Sequence, residues 1–597
     1  MILRALYDYY QTLANDPESG ISHPGYSKEK VSFVLVINKQ GNLKNIIEIK
    51  EGKKAVLMDV PQHYKRTSGV FPYFLCDNFK YILGFEKENF KECSELHKAV
   101  LDGIDDESAK AVLKFFEKWE PKQVKKNEIL KEYMDEIKKG GNFVFSVEGI
   151  KGYVHEKPKI KEAWEKFINS KSKKTGAIVG QCLVTGEKTE LLEVHDSIKG
   201  VWNAQSSGAA IVSFNKEAFE SYNKKQSINA PVGKEAAFAY VTALNYMLNP
   251  ESLQNIQIGD ATTVFWAERT GTGLEEYFYA LINPTDIEEK KEKDNKNVKK
   301  KKNTVAEKES KKTKLNDPGT IARMRDFLNR VAQGKGIKDF KGYDEEVKFY
   351  VLGLSPNAAR ISVRFFYADT FGNIVDKIKQ HYEDMLIEKQ FSDENDIVPV
   401  WLILKETAAQ GKSENIPPAY SGGLMRSILT GSEYPVAVYQ SIIDRIRIDK
   451  EINHNRIAFI KAYLVRKNRI NKKKGGVPMS LNLEEKNIGY CLGRLFALLE
   501  KAQLSVSPDI NATIKDRYFG TASASPKAIF PILLRLAQHH ISAAEYGKFL
   551  DKQIEGIMND IKEFPSHLNL DDQGMFMLGY YHQRNDLYKK KEKTKEE

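Results

Sequence analysis

The sequence predicts an α+β protein: a mixed α/β N-terminal region, a disordered Lys-rich linker, then a largely helical region ending in a helical bundle. Three observations predict it. Strand-like runs and helical stretches interleave irregularly over the first 285 residues. Residues 288–314 read EEKKEKDNKNVKKKKNTVAEKESKKTK, with 12 Lys, 6 acidic residues and almost nothing apolar to bury, a composition that cannot order itself. Beyond residue 371, apolar residues recur mainly at helical spacing. Length and composition agree: 597 residues suggest about three to five domains, and 41% hydrophobic content is enough for real cores. We place the regions at 1–287, 288–317 (the linker), 318–475 and 476–597.

Within the first region, VSFVLVI at 31, NFVFSVEG at 142, AAIVSF at 210 and ATTVFWAE at 261 are strand-like. Residues 108–119 read as a helix, with Asp105, Asp106 and Glu107 at its start, where acids complement the dipole and cap. AAFAYVTALNYML, starting at Ala236, is apolar around its circumference and reads as a buried helix. After the linker, EVKFYVLGLS and ARISVRFFY form a hairpin joined at Pro356 and Asn357. Residues 483–503 place Ile488, Cys491, Leu492, Leu495, Phe496, Leu499 and Ala502 on one helical face. Helical patterns at 526–539, 543–561 and 571–588 complete a terminal bundle.

Several function classes lack support. No stretch approaches the ~18 consecutive apolar residues of a membrane span, and the N-terminus has no secretory pattern, so the chain is expected to be soluble and cytoplasmic. Cys76, Cys93, Cys182 and Cys491 contain no CxxC pair, which argues against a disulfide framework or a thiolate zinc cage. There is no GxxxxGK[ST], GxGxxG, HExxH or GxSxG. His539 and His540 are adjacent, about 100° apart on a helix, and cannot chelate as an i, i+4 pair would. The expectation is a binding protein with no catalytic residues, no metal and no cofactor.

Net charge is +11, from 92 Lys and Arg against 81 Asp and Glu, which suggests a polyanionic partner. The linker carries +6 of it and the tail 589–597 carries +2, leaving +3 for the rest. That near-neutral body is uneven. Residues 426–474 hold 12 basic and 4 acidic side chains, including Arg426, Arg445, Arg447, Arg456, Lys461, Arg466, Lys467 and Arg469. This is either a phosphate-facing surface or a solvated helical face. Strand alternation adds Arg360 and Arg364, with Ser362, as a second cationic row; pairing with Asp344, Glu345 and Glu346 is the alternative.

Two loops have the chemistry of a duplex reader. In RTSGVFPYF, Lys65, Arg66, Thr67 and Ser68 supply cations and hydroxyls, Gly69 allows close approach, and Phe71 and Tyr73 offer rings to wedge or stack. In VWNAQSSG, Asn203, Gln205, Ser206 and Ser207 are uncharged donors and acceptors able to read base edges, and Lys224, Lys225, Gln226 and Asn229 follow in SYNKKQSINAP. An ordinary turn and a self-satisfied loop network are the respective alternatives.

Taken in order, MILRALYDYY, RTSGVFPYFLCDN, CLVTGE, QSSGAAIVSFN, NAP, FAYVTALN, IGDATTVFWAE, GLSPNAARISVRF, GRLFALLEKAQ, NATIKDRYF and ASASP resemble the large subunit of the type I-C CRISPR Cascade complex. The resemblance implies a non-catalytic subunit at the 5′ end of the guide crRNA. It would recognise the protospacer-adjacent motif on double-stranded target DNA, help unwind it and stabilise the R-loop. Its implied partners are the backbone, 5′-handle-binding and small subunits and a recruited helicase-nuclease. Guide pairing would read sequence while protein reads the short duplex motif. A nucleic-acid enzyme with a dispersed metal site and a structural scaffold subunit are the competing expectations.

KKKGGVPMSLN, ahead of the bundle, carries a further expectation: Lys-Gly-Gly codons admit a ribosome-binding consensus just upstream of Met479. The resembled family yields a separate small subunit from this part of the gene. Met479 is therefore a candidate internal start for a 119-residue product.

Overall fold

The computed structural model describes the chain except residues 52–53, 64–65, 67–68, 173–177, 285–317, 333–343, 393, 396, 474 and 590–597. The predicted linker 288–317 and nearly all of the Lys-rich tail lie outside the described residues. Contacts divide the chain into two units, one of Met1–Gly200 with Gln205–Tyr246 and one of Val201–Ala204 with Met247–Glu597.

The first unit is built on the strand Tyr26–Ile37. It pairs antiparallel with Leu43–Glu48 and Lys54–Pro61 and parallel with Asn142–Val147, whose far edge carries Cys76–Asn78. Alternation along these strands feeds two faces. Phe33, Leu35, Ile37, Phe143 and Phe145 enter one core, with Phe33 and Phe143 stacked at 4.7 Å, while Val34, Val60, Cys76 and Val144 enter another. The expected helix runs Glu107–Lys118 and is capped by Asp106, whose Oδ1 accepts from the backbone N–H of Ser108 and Ala109. The apolar helix Lys234–Met247 is buried on most of its circumference, as its composition requires.

One strand expectation fails. AAIVSF at 210 forms no strand; its first two residues, Ala209 and Ala210, make only isolated bridges, Ala209 to Ile198. Its β-branched run has no strand beside it to pair with, and backbone pairing, not propensity, makes a strand.

The second unit has a four-stranded antiparallel sheet ordered Arg360–Thr370, Lys348–Asn357, Ala261–Ala267, Asn255–Ile258. Ala261–Ala267 lies between neighbours and is buried at every residue. The predicted hairpin is present, but Pro356 belongs to its strand and pairs with Ile361. The turn is at Ala358, with φ +52°. A register shift between Gly353 and Leu354 breaks simple alternation there.

Helices dominate the remainder. His454–Ile470 packs against Phe371–Met385, Val436–Asp449 and Leu570–Tyr588. Ile488–Val506 lies along Leu570–Tyr588 in the closest helix pairing of the unit. Glycine permits that approach: a Cβ at Gly489 or Gly493 would collide with the carbonyl of Asp572 or Phe576, and one at Gly579 with that of Tyr490. One apolar core extends from Ile256 to Tyr581, so residues on both sides of position 476 share it. Among the described residues, no helix is long and apolar enough to cross a membrane.

Candidate nucleic-acid interface

The loop before Cys76 is held from its base. Arg66 donates from Nε to the Phe71 carbonyl at 2.7 Å and from Nη2 to Asp77 Oδ2 at 2.5 Å. Its guanidinium lies 3.8 Å from the Tyr73 ring centroid and 4.0 Å from that of Tyr81. His63 stacks on Tyr73 at 3.9 Å and bonds through Nε2 to the Cys76 carbonyl at 2.8 Å. Burial drives the His63 imidazole down to about 3, so the ring is neutral and adds no repulsion beside Arg66. Burial also pushes the Asp77 carboxyl up to about 6, with Arg66 pulling it back.

Arg66 is therefore committed to the fold. Two of its donors close the loop, and removing it would strand a buried carboxyl. What the loop offers outward is Gly69, with φ +84°, and the ring of Phe71, 54% exposed. Tyr73 is part-buried within the stack. Lys65, Thr67 and Ser68 lie outside the described residues.

The second candidate segment is two successive turns, closed by Ala204 N–H to Val201 O at 3.1 Å and Gly208 N–H to Gln205 O at 2.8 Å. Asn203, Gln205, Ser206 and Ser207 are all exposed, and none of these side chains hydrogen-bonds to a described residue. Their donors and acceptors are available. The unit division runs through the segment, Asn203 grouping with the second unit and Gln205, Ser206 and Ser207 with the first.

Asn229 behaves differently. Its Oδ1 accepts from Ser221 N–H at 2.8 Å, and its Nδ2 donates to the carbonyls of Lys224 and Gln226 at 2.7 and 2.8 Å. Both amide donors and one lone pair of the oxygen therefore serve the loop. Asn229 fixes a tight turn in which Tyr222 and Asn223 both take positive φ, +53° and +56°, across a Ser221–Lys224 bridge. Tyr222 is consequently held almost wholly in solvent, 95% exposed, with Lys224 and Lys225 beside it. Gln226 is exposed, its backbone N–H bound to Glu220. Tyr222 was missed in sequence reasoning; the signal was its neighbour Asn223, a residue tolerant of left-handed turns.

A family model described as CRISPR-associated protein (Cas_Csd1) matches residues 6–588. The chain belongs to the Cas_Csd1 family. No curated protein matches the chain. The family match spans both units, so the loops above and the helices below belong to one Cas_Csd1 protein.

The basic stretch of this family member is largely consumed internally. Arg466 is fully buried: Nε meets Asp384 at 3.1 Å, Nη1 the Ser427 carbonyl at 3.0 Å, and its guanidinium lies 3.9 Å from the Tyr434 ring centroid. Arg469 pairs with the same Asp384, and Lys461 donates to the Asp384 carbonyl at 3.0 Å; burial lowers the Lys461 pKa. Arg456 is buried between Glu406 and Asp449, at 2.8 and 2.9 Å. Lys467 meets both oxygens of Asp571 at 2.8 Å.

Arg456, Lys461 and Arg466 are buried and not on a surface, because helix His454–Ile470 is enclosed by helices, and an enclosed cation needs a compensating partner. Three of those carboxylates, Asp384, Glu406 and Asp571, lie outside the 426–474 window, so local charge counting could not see them. Arg364 is likewise engaged, donating from Nε and Nη2 to Asp260 at 3.0 and 2.6 Å; the register shift beside it sets its environment, and the pairing with residues 344–346 is absent for it. Arg360 pairs with Asn357 at the hairpin end, and exposed Arg426 donates to the Arg364 carbonyl at 3.3 Å. Arg445 and Arg447 have partners at longer range, Asp449 at 3.5 Å and Asp444 at 3.8 Å. Among the described residues, no three or more His, Cys, Asp and Glu side chains converge as a metal site.

Proposed function

We propose that this CRISPR-associated protein is the non-catalytic large subunit of a type I-C RNA-guided surveillance complex. In this reading it recognises the protospacer-adjacent motif on duplex DNA, helps unwind the DNA, stabilises the R-loop and recruits the helicase-nuclease. The observation that carries it is the set of unspent recognition groups in the first unit: Gln205, Ser206 and Ser207 with no partner among the described residues, Phe71 on a locked loop, and Tyr222 on a fixed turn. Amides and hydroxyls read base edges, while rings stack on or part bases. Guide crRNA, the backbone, 5′-handle-binding and small subunits and the helicase-nuclease are the partners this role requires.

The test is to assemble the chain with guide crRNA and the other subunits. Binding to duplexes with single substitutions beside the guide-matched segment is then measured, with and without magnesium. Affinity that falls with flank changes, without cleavage, is the expected result. Cleavage by this chain alone would assign it to the nucleases, and indifference to the flank would leave it a scaffold.

In the same reading the 476–597 region resembles the small subunit and is also made from Met479, which is exposed. Synonymous recoding of the codons for residues 474–476, together with Met479→Leu, is expected to abolish a band of about 13 kDa, the mass of 119 residues. Persistence of that band sinks the internal start.

A further inference from the structure

Arg456, Arg466, Lys467 and Arg469 are spent on close carboxylates, whereas Arg447 meets Asp444 only at 3.8 Å and Lys450 meets none among the described residues. Arg447 and Lys450, at the end of helix Val436–Asp449, line an open cavity of about 450 Å³ together with Arg517 of helix Ile514–Ala522. Arg517 is exposed and makes no ion pair with a described residue. Asp444 is the sole carboxylate on the wall, and it stands 3.8 Å from Arg447. Thr521 and Ser525 add hydroxyls. Ser525 also precedes helix Pro526–Ala543, whose positive end adds to the same field. The cavity is net cationic, lined with donors, and large enough for a phosphate with part of its sugar.

Lys450 supplies an independent observation. It ends its helix in the left-handed conformation, φ +58°, a position where glycine is the unstrained choice. Here a lysine occupies it. Its Nζ donates to the Arg447 carbonyl and lies beside Gly520, where a Cβ would come within 3.5 Å of it. The hydrogen bond to the Arg447 carbonyl holds the ammonium at the cavity wall, and strain retained at a site points to a function for it.

We propose that this cavity is a seat for a phosphodiester of a nucleic-acid strand, with Arg517 and Arg447 as paired-donor ligands and Lys450 as a fixed point charge. The proposal rests on the reading that this chain engages nucleic acid, and it assigns the backbone contact to the second unit. The seat joins a helix from 318–475 to helices of the terminal bundle, a combination that charge counting within 426–474 could not reveal.

The experiment uses the full-length chain and a short fluorescein-labelled single-stranded oligodeoxynucleotide, with anisotropy read between about 50 and 200 mM salt. Arg517→Ala and Lys450→Gly are each expected to weaken binding about tenfold at low salt. Each is also expected to lower the slope of log affinity on log salt by about 0.7. Lys450→Gly separates function from folding, because glycine relieves the left-handed residue: its melting temperature should hold or rise while affinity falls. Wild-type affinity and slope in both variants would overturn the seat. So would variants that lose binding of a poly-glutamate peptide but keep oligonucleotide binding, an outcome that assigns the cavity to an acidic protein partner. Flank discrimination on duplex DNA keeps the two ideas apart: the variants should retain it, and its absence in the wild-type complex would count against the proposed function and not against the seat.

Discussion

Two regions of the molecule, one in each unit, treat polar groups in opposite ways. In the second, Arg456, Arg466 and Lys467 look available in sequence but are bound to Glu406, Asp384 and Asp571. In the first, Gln205, Ser206 and Ser207 carry no charge yet stand exposed without partners among the described residues. A polar residue's capacity to bind a ligand depends on what the fold leaves unsatisfied, not on its charge. Helix His454–Ile470 is enclosed and must neutralise its cations at home, whereas the 201–208 turns satisfy their backbone locally and leave side chains unspent.

The largest expected effect tests the spent side. Arg466→Ala leaves Asp384 with one of its two guanidinium partners in a buried setting, and should cost about 3–5 kcal/mol. Chemical denaturation followed by fluorescence would register it. A stability change under 1 kcal/mol would show the cluster to be looser than its geometry.

Acid should then separate the units. Burial lowers His63 of the first unit to about 3 and His97, His155 and His195 to about 4, against His582 of the second at about 4 and His381, also of the second, well below its ordinary value. An unfolded histidine titrates near 6.5. These groups therefore contribute stability fully present above pH 6.5 and lost as pH falls towards 4 or lower, up to about 3 kcal/mol for each of those held near 4. Asp77 acts oppositely, since its folded carboxyl, raised to about 6, takes up a proton before the unfolded one does. Limited proteolysis at pH 5 should cut the first unit before the second; equal cutting would remove the difference.

Arg66→Ala comes next, at about 2 kcal/mol of local stability, with weaker duplex binding because the loop presenting Phe71 loses its base. Arg66→Lys should not rescue it, since an ammonium cannot stack between two rings while bridging Phe71 and Asp77. Full duplex affinity in both variants, measured at several salt concentrations, would remove the loop from the interface. The smallest effects belong to the unspent groups: Tyr222→Ala should cost about 1–2 kcal/mol of DNA binding. Gln205→Ala should cost about 1 kcal/mol, confined to one flank position. Neither should move the melting temperature, and a shift in it would mean the groups are spent after all.

Much of the fold was legible in the sequence where a pattern was both local and repeated. The Asp106 cap, the all-round apolar helix at 234–247 and the terminal bundle follow from spacing alone. AAIVSF at 210 was misread because the same residues need a pairing partner, which no local pattern supplies. The site divides along the same line. Exposure of Gln205 to Ser207 suits their composition, but Asn229 and Gln205 are equivalent in sequence, and only the three-dimensional loop makes one a clasp and leaves the other exposed. Arg466 and Arg517 are indistinguishable as letters, and their fates are set by carboxylates up to 82 residues away.

The glycine seam between Ile488–Val506 and Leu570–Tyr588 bears on how the gene is punctuated. Both of its helices lie downstream of Met479, so a ribosome starting there would still make the two halves of the tightest joint in one polypeptide. Left behind would be the Tyr439 hydroxyl that bonds the Leu570 carbonyl at 3.2 Å and the Glu388 N–H that meets the carbonyl of Met479. A short product would thus carry its own fastening and a bare flank, and that flank is where it would have to find a neighbour.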